Sequence, residues 1–136
     1  MGLILDTSAL IEWEKSGWKG IPSGVDETET VILPAVVWAE GLAGVRLAKT
    51  TERAAIRRAR LEAIRSVAGI EPFTPLIAEH YADIFSALYR IGSLIPQNDI
   101  AVAATARSLD FSVLVGPKDE SHFRRVPGLK VLLFAA

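Results

Sequence analysis

The chain has 136 residues, half of them hydrophobic, with 15 Lys and Arg against 16 Asp and Glu, a net charge of −1 and no cysteine. That length is one domain able to bury a core unaided, and the lack of cysteine excludes thiolate zinc sites and disulfide frameworks. A pI near 6.1 and a mean hydropathy of +0.30 exclude binding of polyanions by net charge alone. They point to an Ala/Val/Leu-rich core, to apolar surface covered by a second copy or another protein, or to both.

Gly2 to Leu5 reads as a short buried strand, and a helix from Thr7 to Glu14 follows directly. The opening apolar run is too short for a signal peptide or a membrane span, and no later stretch approaches ~20 uninterrupted apolar residues. The chain is therefore expected to be soluble and cytoplasmic, with no membrane partner. Gly17 to Thr30, rich in Gly, Pro, Ser and acids, reads as loop. Val31 to Leu33 is a second strand, and Pro34 suits the first turn of a helix to about Leu47. Thr50 or Thr51 caps a further helix through Val67, ended by Ala68-Gly69.

Ile70 to Phe73 is a third strand, Pro75 to about Ile91 a helix, and Pro96 to Leu109 another, rich in alanine. Phe111 to Val115 and Lys130 to Phe134 complete the strands, with Pro117 to Gly128 as loop containing at most a short helical turn. Short continuous apolar strands alternating with helices predict an α/β fold with a central parallel sheet of four to five strands, helices covering both faces. Ligands of such sheets bind beyond the carboxyl ends of the strands.

Four acids stand where acids are costly. Asp6 ends the first strand, Glu40 interrupts Ala35-Val36-Val37-Trp38-Ala39, Asp99 precedes Ile100 to Ala104, and Asp119 follows Val113-Leu114-Val115. A buried carboxylate must be paired, protonated or bound to a metal. Each also has an ordinary explanation. Asp6 and Asp99 suit helix starts, and Glu40 an arginine partner or the edge of the stripe Val36, Val37, Glu40, Ala43, Gly44, Leu47. Asp119 suits a turn, with Glu120 beside it as a rival. If the fold gathers the four, they hold a hard divalent cation. Thr7 and Ser8, next to Asp6, add hydroxyls that can orient ligands or water. Gly41 and Gly44 suggest close packing or a bend in the helix that carries Glu40.

As a set these segments resemble the PIN-domain ribonucleases, most closely the VapC toxins of toxin–antitoxin modules. The matching stretches are Leu3 to Leu10, Pro34 to Glu40, Asn98 to Ala106 and Phe123 to Val131, in the family's order and spacing over nearly the whole chain. The resemblance implies one PIN domain over residues 1–136 and a metal-dependent endoribonuclease that cleaves RNA phosphodiesters as the toxin of a type II pair. It makes Asp6, Glu40 and Asp99 the core acids. Asp119 takes the fourth position, which in the family is Asp or Asn four residues before a phenylalanine, here Phe123. Pro117 departs from the family pattern, which often has Thr there. Asp6, Asp99 and Asp119 would ligate Mg²⁺, with Mn²⁺ as a substitute, because hard oxygen donors favour these ions. Glu40 would be a ligand or orient the attacking water. The implied partners are RNA, a VapB-type antitoxin whose tail covers the acidic site, and a second copy in a homodimer.

Arg53, Arg57 and Arg60 share one helical face and are candidate RNA contacts, although a solvated face with local glutamate pairs explains them equally. Trp13, Trp18 and Trp38 suit base stacking or, more commonly, packing. The two histidines, His80 and His122, receive no role. A haloacid-dehalogenase phosphotransferase needs a second Asp where Ser8 stands, and no glycine-rich phosphate loop is present. The remaining alternative is a catalytically silent PIN-like protein that binds RNA or a partner.

Overall fold

β1 (Gly2–Leu5) is buried at every position, so side chains on both of its faces are covered, as a central parallel strand requires. The computed structural model describes residues 2–18 and 28–134. β1 is flanked by β2 (Thr30–Pro34) and β4 (Ser112–Val115), with β3 (Gly69–Glu71) and β5 (Val131–Leu133) outside them. The order is β3-β2-β1-β4-β5 and every pairing is parallel. The five strands match the expected ones. β3 stops at Glu71 because Pro72 follows, and Phe73 points out to solvent.

Among the described residues six helices connect the strands: α1 (Thr7–Lys15), α2 (Ala35–Arg46), α3 (Thr51–Val67), α4 (Pro75–Arg90), α5 (Gln97–Leu109) and α6 (Glu120–Arg124). Thr50 and Thr74 cap α3 and α4 through their hydroxyls, accepting from Arg53 N and Ile77 N. The centre of the loop expected over 17–30, residues 19–27, lies outside the described residues.

α5 lies against β1, β2 and β4 and packs along α4. Its alanines and Val102 let it approach the sheet closely, and Ile100 and Val102 through Ala106 are buried. Burying a side chain such as Ile100 or Val102 stabilises the fold by about 1.5–3 kcal/mol each. α2 behaves differently from its pattern. Val37 is buried, but Ala43 and Leu47 are exposed, because the end of the helix runs past the sheet and packs on α3. The close packing suggested by Gly41 is real: a Cβ there would stand 2.8 Å from Leu61 Cδ2.

The chain moves from β1 outward to β2 and β3, then returns to the other side of β1 with β4. The carboxyl ends of β1 and β4 therefore border the crevice of the topological switch point, where open α/β sheets bind ligands.

Candidate metal centre

The acids sit at that crevice. Asp6 follows β1 directly, and its backbone N–H donates to Leu114 O at 3.0 Å, so the sheet itself fixes it. It caps α1 by accepting from Ser8 N at 3.0 Å, and the Ser8 hydroxyl donates to the same Oδ2. The ordinary capping role is thus met by a carboxylate that also lines the cleft. Glu40 reaches across from α2, where its Oε1 accepts from Thr7 Oγ1 at 2.7 Å; its partner is a hydroxyl, not an arginine.

Asp99 lies in the first turn of α5 but does not cap it; its Oδ2 meets His122 Nδ1 at 2.8 Å. Asp119 opens α6 without a side-chain cap bond, and its Oδ1 is 3.7 Å from the same His122 nitrogen. Phe123, wholly buried, anchors this one-turn helix and so sets the position of both Asp119 and His122.

Asp6, Glu40, Asp99 and Asp119 line one cleft of about 180 Å³ with Thr7, Ser8, Ile11, Glu12, Lys15 and Lys118. Asp6, Glu40, Asp99 and Asp119 are four acids from four separate stretches of chain. Asp6, Glu40 and Asp99 each use one oxygen to be held, by Ser8, Thr7 and His122 respectively, and leave the other without a protein partner among the described residues. Glu120 instead pairs with Arg124 at 3.0 Å and stays out of the cleft.

Electrostatics show the cost of this arrangement. Burial pushes the Asp6 carboxyl up to about 6, with Ser8 hydrogen bonds opposing and the charges of Asp99 and Asp119 adding to it. Burial also raises Asp99, opposed chiefly by the His122 hydrogen bond, with Asp119 and Glu40 adding repulsion. Of the two lysines at the cleft, Lys15 is paired with Glu12 at 3.4 Å, and Lys118 makes no ion pair among the described residues. The donor set is oxygen-rich and short of positive charge. It fits a divalent cation, and ligand atoms of Asp99, Asp119 and His122 lie within 4.8 Å of one another.

The arginines of α3 lie apart from the cleft. Arg57 donates to Gly44 O at 3.0 Å and to Glu14 Oε1 at 3.3 Å, tying α3 to α2 and α1. Arg53 and Arg60 are exposed, and Arg58 pairs with Glu62. The tryptophans are engaged in packing: Trp13 and Trp18 meet with ring centroids 5.4 Å apart, and Arg65 lies 5.2 Å over Trp38. Sequence reasoning passed over Lys118 and His122. The signal for His122 was its spacing: three residues after Asp119, it shares a face with it once the segment is helical.

The sequence model of the PIN domain family matches residues 3–129. Ribonuclease VapC of Rickettsia bellii (strain RML369-C) is 30% identical over 133 residues, which cover 97% of this chain and 96% of that protein. Ribonuclease VapC1 of Rickettsia felis (strain ATCC VR-1525 / URRWXCal2) is 33% identical over 133 residues, with the same coverage. Among solved structures, VapBC2 from Rickettsia felis, bound to a DNA fragment from its promoter, shares the fold. Its TM-score is 0.82 at 20% identity, over 99% of this chain and 100% of that one.

Proposed function

The chain belongs to the PIN-domain family, and from that footing we propose that it is a divalent-metal-dependent endoribonuclease, the toxin of a type II toxin–antitoxin pair, with its PIN domain over residues 1–136. The observation that carries the proposal is the convergence of Asp6, Glu40, Asp99 and Asp119 on one cleft at the carboxyl ends of β1 and β4. Both relatives named above are ribonucleases by name, and a solved structure of the same fold, VapBC-5 from Mycobacterium tuberculosis, is named as a member of a family of toxin–antitoxin systems.

Asp6, Asp99 and Asp119 would hold Mg²⁺, or Mn²⁺ in its place. When bound, the ion neutralises charge on the scissile phosphate and makes water more acidic. The protein's own part is positioning. Ser8 fixes the Asp6 carboxylate, and Thr7 aims Glu40, whose free Oε2 would orient the attacking water and accept its proton. Water attack leaves a 5′-phosphate and a 3′-hydroxyl. Lys118 at the rim is suited to a neighbouring phosphate of the same strand, and the exposed Arg53 and Arg60 to more distant ones.

Leu76, Tyr89, Ile91 and Leu94, exposed along and just beyond α4, support a homodimer. The acidic cleft supports a VapB-type antitoxin whose tail covers it. No helix among the described residues is long and apolar enough to cross a membrane, in keeping with a proposed cytoplasmic site of action.

The test is incubation of protein freed of any antitoxin with total cellular RNA, with Mg²⁺, with Mn²⁺ and with chelator. Discrete cuts that require the ion and carry 5′-phosphate ends support the proposal. Intact RNA beside protein that binds the ion would move it to the silent, partner-binding class.

A further inference from the structure

His122 differs from the other groups that hold the acids. Thr7 and Ser8 each serve one carboxylate, whereas His122 Nδ1 faces two, at 2.8 Å from Asp99 Oδ2 and 3.7 Å from Asp119 Oδ1. Ligand atoms of all three residues lie within 4.8 Å of one another. Two ligands each about 2.1 Å from a shared ion stand roughly 3.0 Å apart at right angles and roughly 4.2 Å apart when opposite. Both separations from the nitrogen therefore suit a shared ion after small adjustments. The position is also well determined, since α6 is a single turn pinned by buried Phe123 and carries both Asp119 and His122.

We propose that His122 is a protein ligand of the ion at Asp99 and Asp119, and that its nitrogen gives this centre a preference for Mn²⁺ and similar borderline cations over Mg²⁺. The inference rests on the metal-dependent reading above and adds a ligand to it. Imidazole binds transition ions well and Mg²⁺ poorly, so one nitrogen among carboxylates changes selectivity more than it changes total affinity. An imidazole that only orients Asp99 would raise affinity for both ions alike.

The chain has two histidines, and His80 lies on α4 and is not grouped with Asp99 and Asp119, so a nitrogen signal can be assigned by substitution. The experiment loads the purified protein with Mn²⁺ and records pulsed electron paramagnetic resonance for directly bound nitrogen, in wild type, His122→Asn and His80→Gln. Titration calorimetry with Mn²⁺ alone and Mg²⁺ alone accompanies it, and circular dichroism verifies folding. The expected result is nitrogen coupling in wild type and His80→Gln and none in His122→Asn. Wild type should bind Mn²⁺ at least about tenfold more tightly than Mg²⁺, and the ratio should fall below about threefold in His122→Asn. Bound Mn²⁺ without nitrogen coupling, or an unchanged ratio, would overturn the ligand assignment and leave the nuclease reading standing. Failure of wild type to bind either ion would overturn both.

Discussion

Gly116 N–H donates to Ser8 Oγ at 2.9 Å across 108 positions of sequence, and that hydroxyl in turn donates to Asp6 Oδ2. One serine thus joins the end of β4, the start of α1 and the most buried acid of the cleft. The approach is close enough that a Cβ on Gly116 would stand 2.5 Å from Ser8 O, a backbone atom that cannot turn aside. Ser8→Ala leaves the buried Gly116 N–H unsatisfied and should cost about 1–3 kcal/mol in urea unfolding. Gly116→Ala, which must push two backbone segments apart, should cost about 3 kcal/mol. A Gly116→Ala protein as stable as wild type would contradict this packing.

Asp6 makes the fold sensitive to pH in the direction opposite to a salt-bridged carboxylate. Its folded value of about 6 lies above its ordinary 3.8, so the folded state holds the extra proton between these values. Stability is then lost as pH rises through that window, by about 3 kcal/mol when complete. Asp6→Asn escapes the loss. Without metal its advantage over wild type should grow from near zero at pH 4 to as much as about 3 kcal/mol at pH 7. Saturating Mg²⁺ should narrow the gap by stabilising wild type. An advantage that is the same at pH 4 and pH 7 would show that Asp6 is not a desolvated acid.

Thr7 holds Glu40 through a hydrogen bond of 2.7 Å. Thr7→Val should lower kcat for RNA cleavage by about 10- to 100-fold, with little change in KM or in Mg²⁺ affinity, and Thr7→Ser should restore it. Equal loss in the Ser and Val variants would mean that the methyl group, not the hydroxyl, matters.

The basic residues divide by environment. Lys118 lines the cleft without an ion-pair partner among the described residues, so Lys118→Gln should raise KM and reduce the salt slope of RNA binding by about one. Arg57 is occupied by Gly44 and Glu14. Arg57→Ala should cost up to about 1 kcal/mol of stability, discounted because the pair is partly exposed, and should leave that slope unchanged. Filter binding across a salt series distinguishes the two.

β1, β2 and β4 were legible as continuous apolar runs closed by an acid, a proline and a glycine, and the starts of α3 and α4 were marked by Thr50 and Pro75. The acids were legible for the same reason, since each breaks or borders such a run. What periodicity did not convey was where a helix leaves the sheet. The stripe on α2 continues to Leu47, yet the last turn has no sheet beneath it. Nor did the sequence reveal that one turn of helix after Pro117 would carry His122 onto Asp99. That contact joins α6 to α5 across 23 positions and depends on Phe123 filling the core.

The proposed cleavage centre draws its four carboxylates from separate stretches of chain. Its most direct test is the cleavage rate on a single RNA substrate at fixed Mg²⁺ for Asp6→Asn, Glu40→Gln, Asp99→Asn and Asp119→Asn, each shown to be folded. Asp6→Asn, Glu40→Gln and Asp99→Asn should each lose at least about 100-fold and Asp119→Asn about tenfold or more, while Glu120→Gln, outside the cleft, should cleave as wild type does. Wild-type cleavage by Asp6→Asn or Asp99→Asn would contradict it.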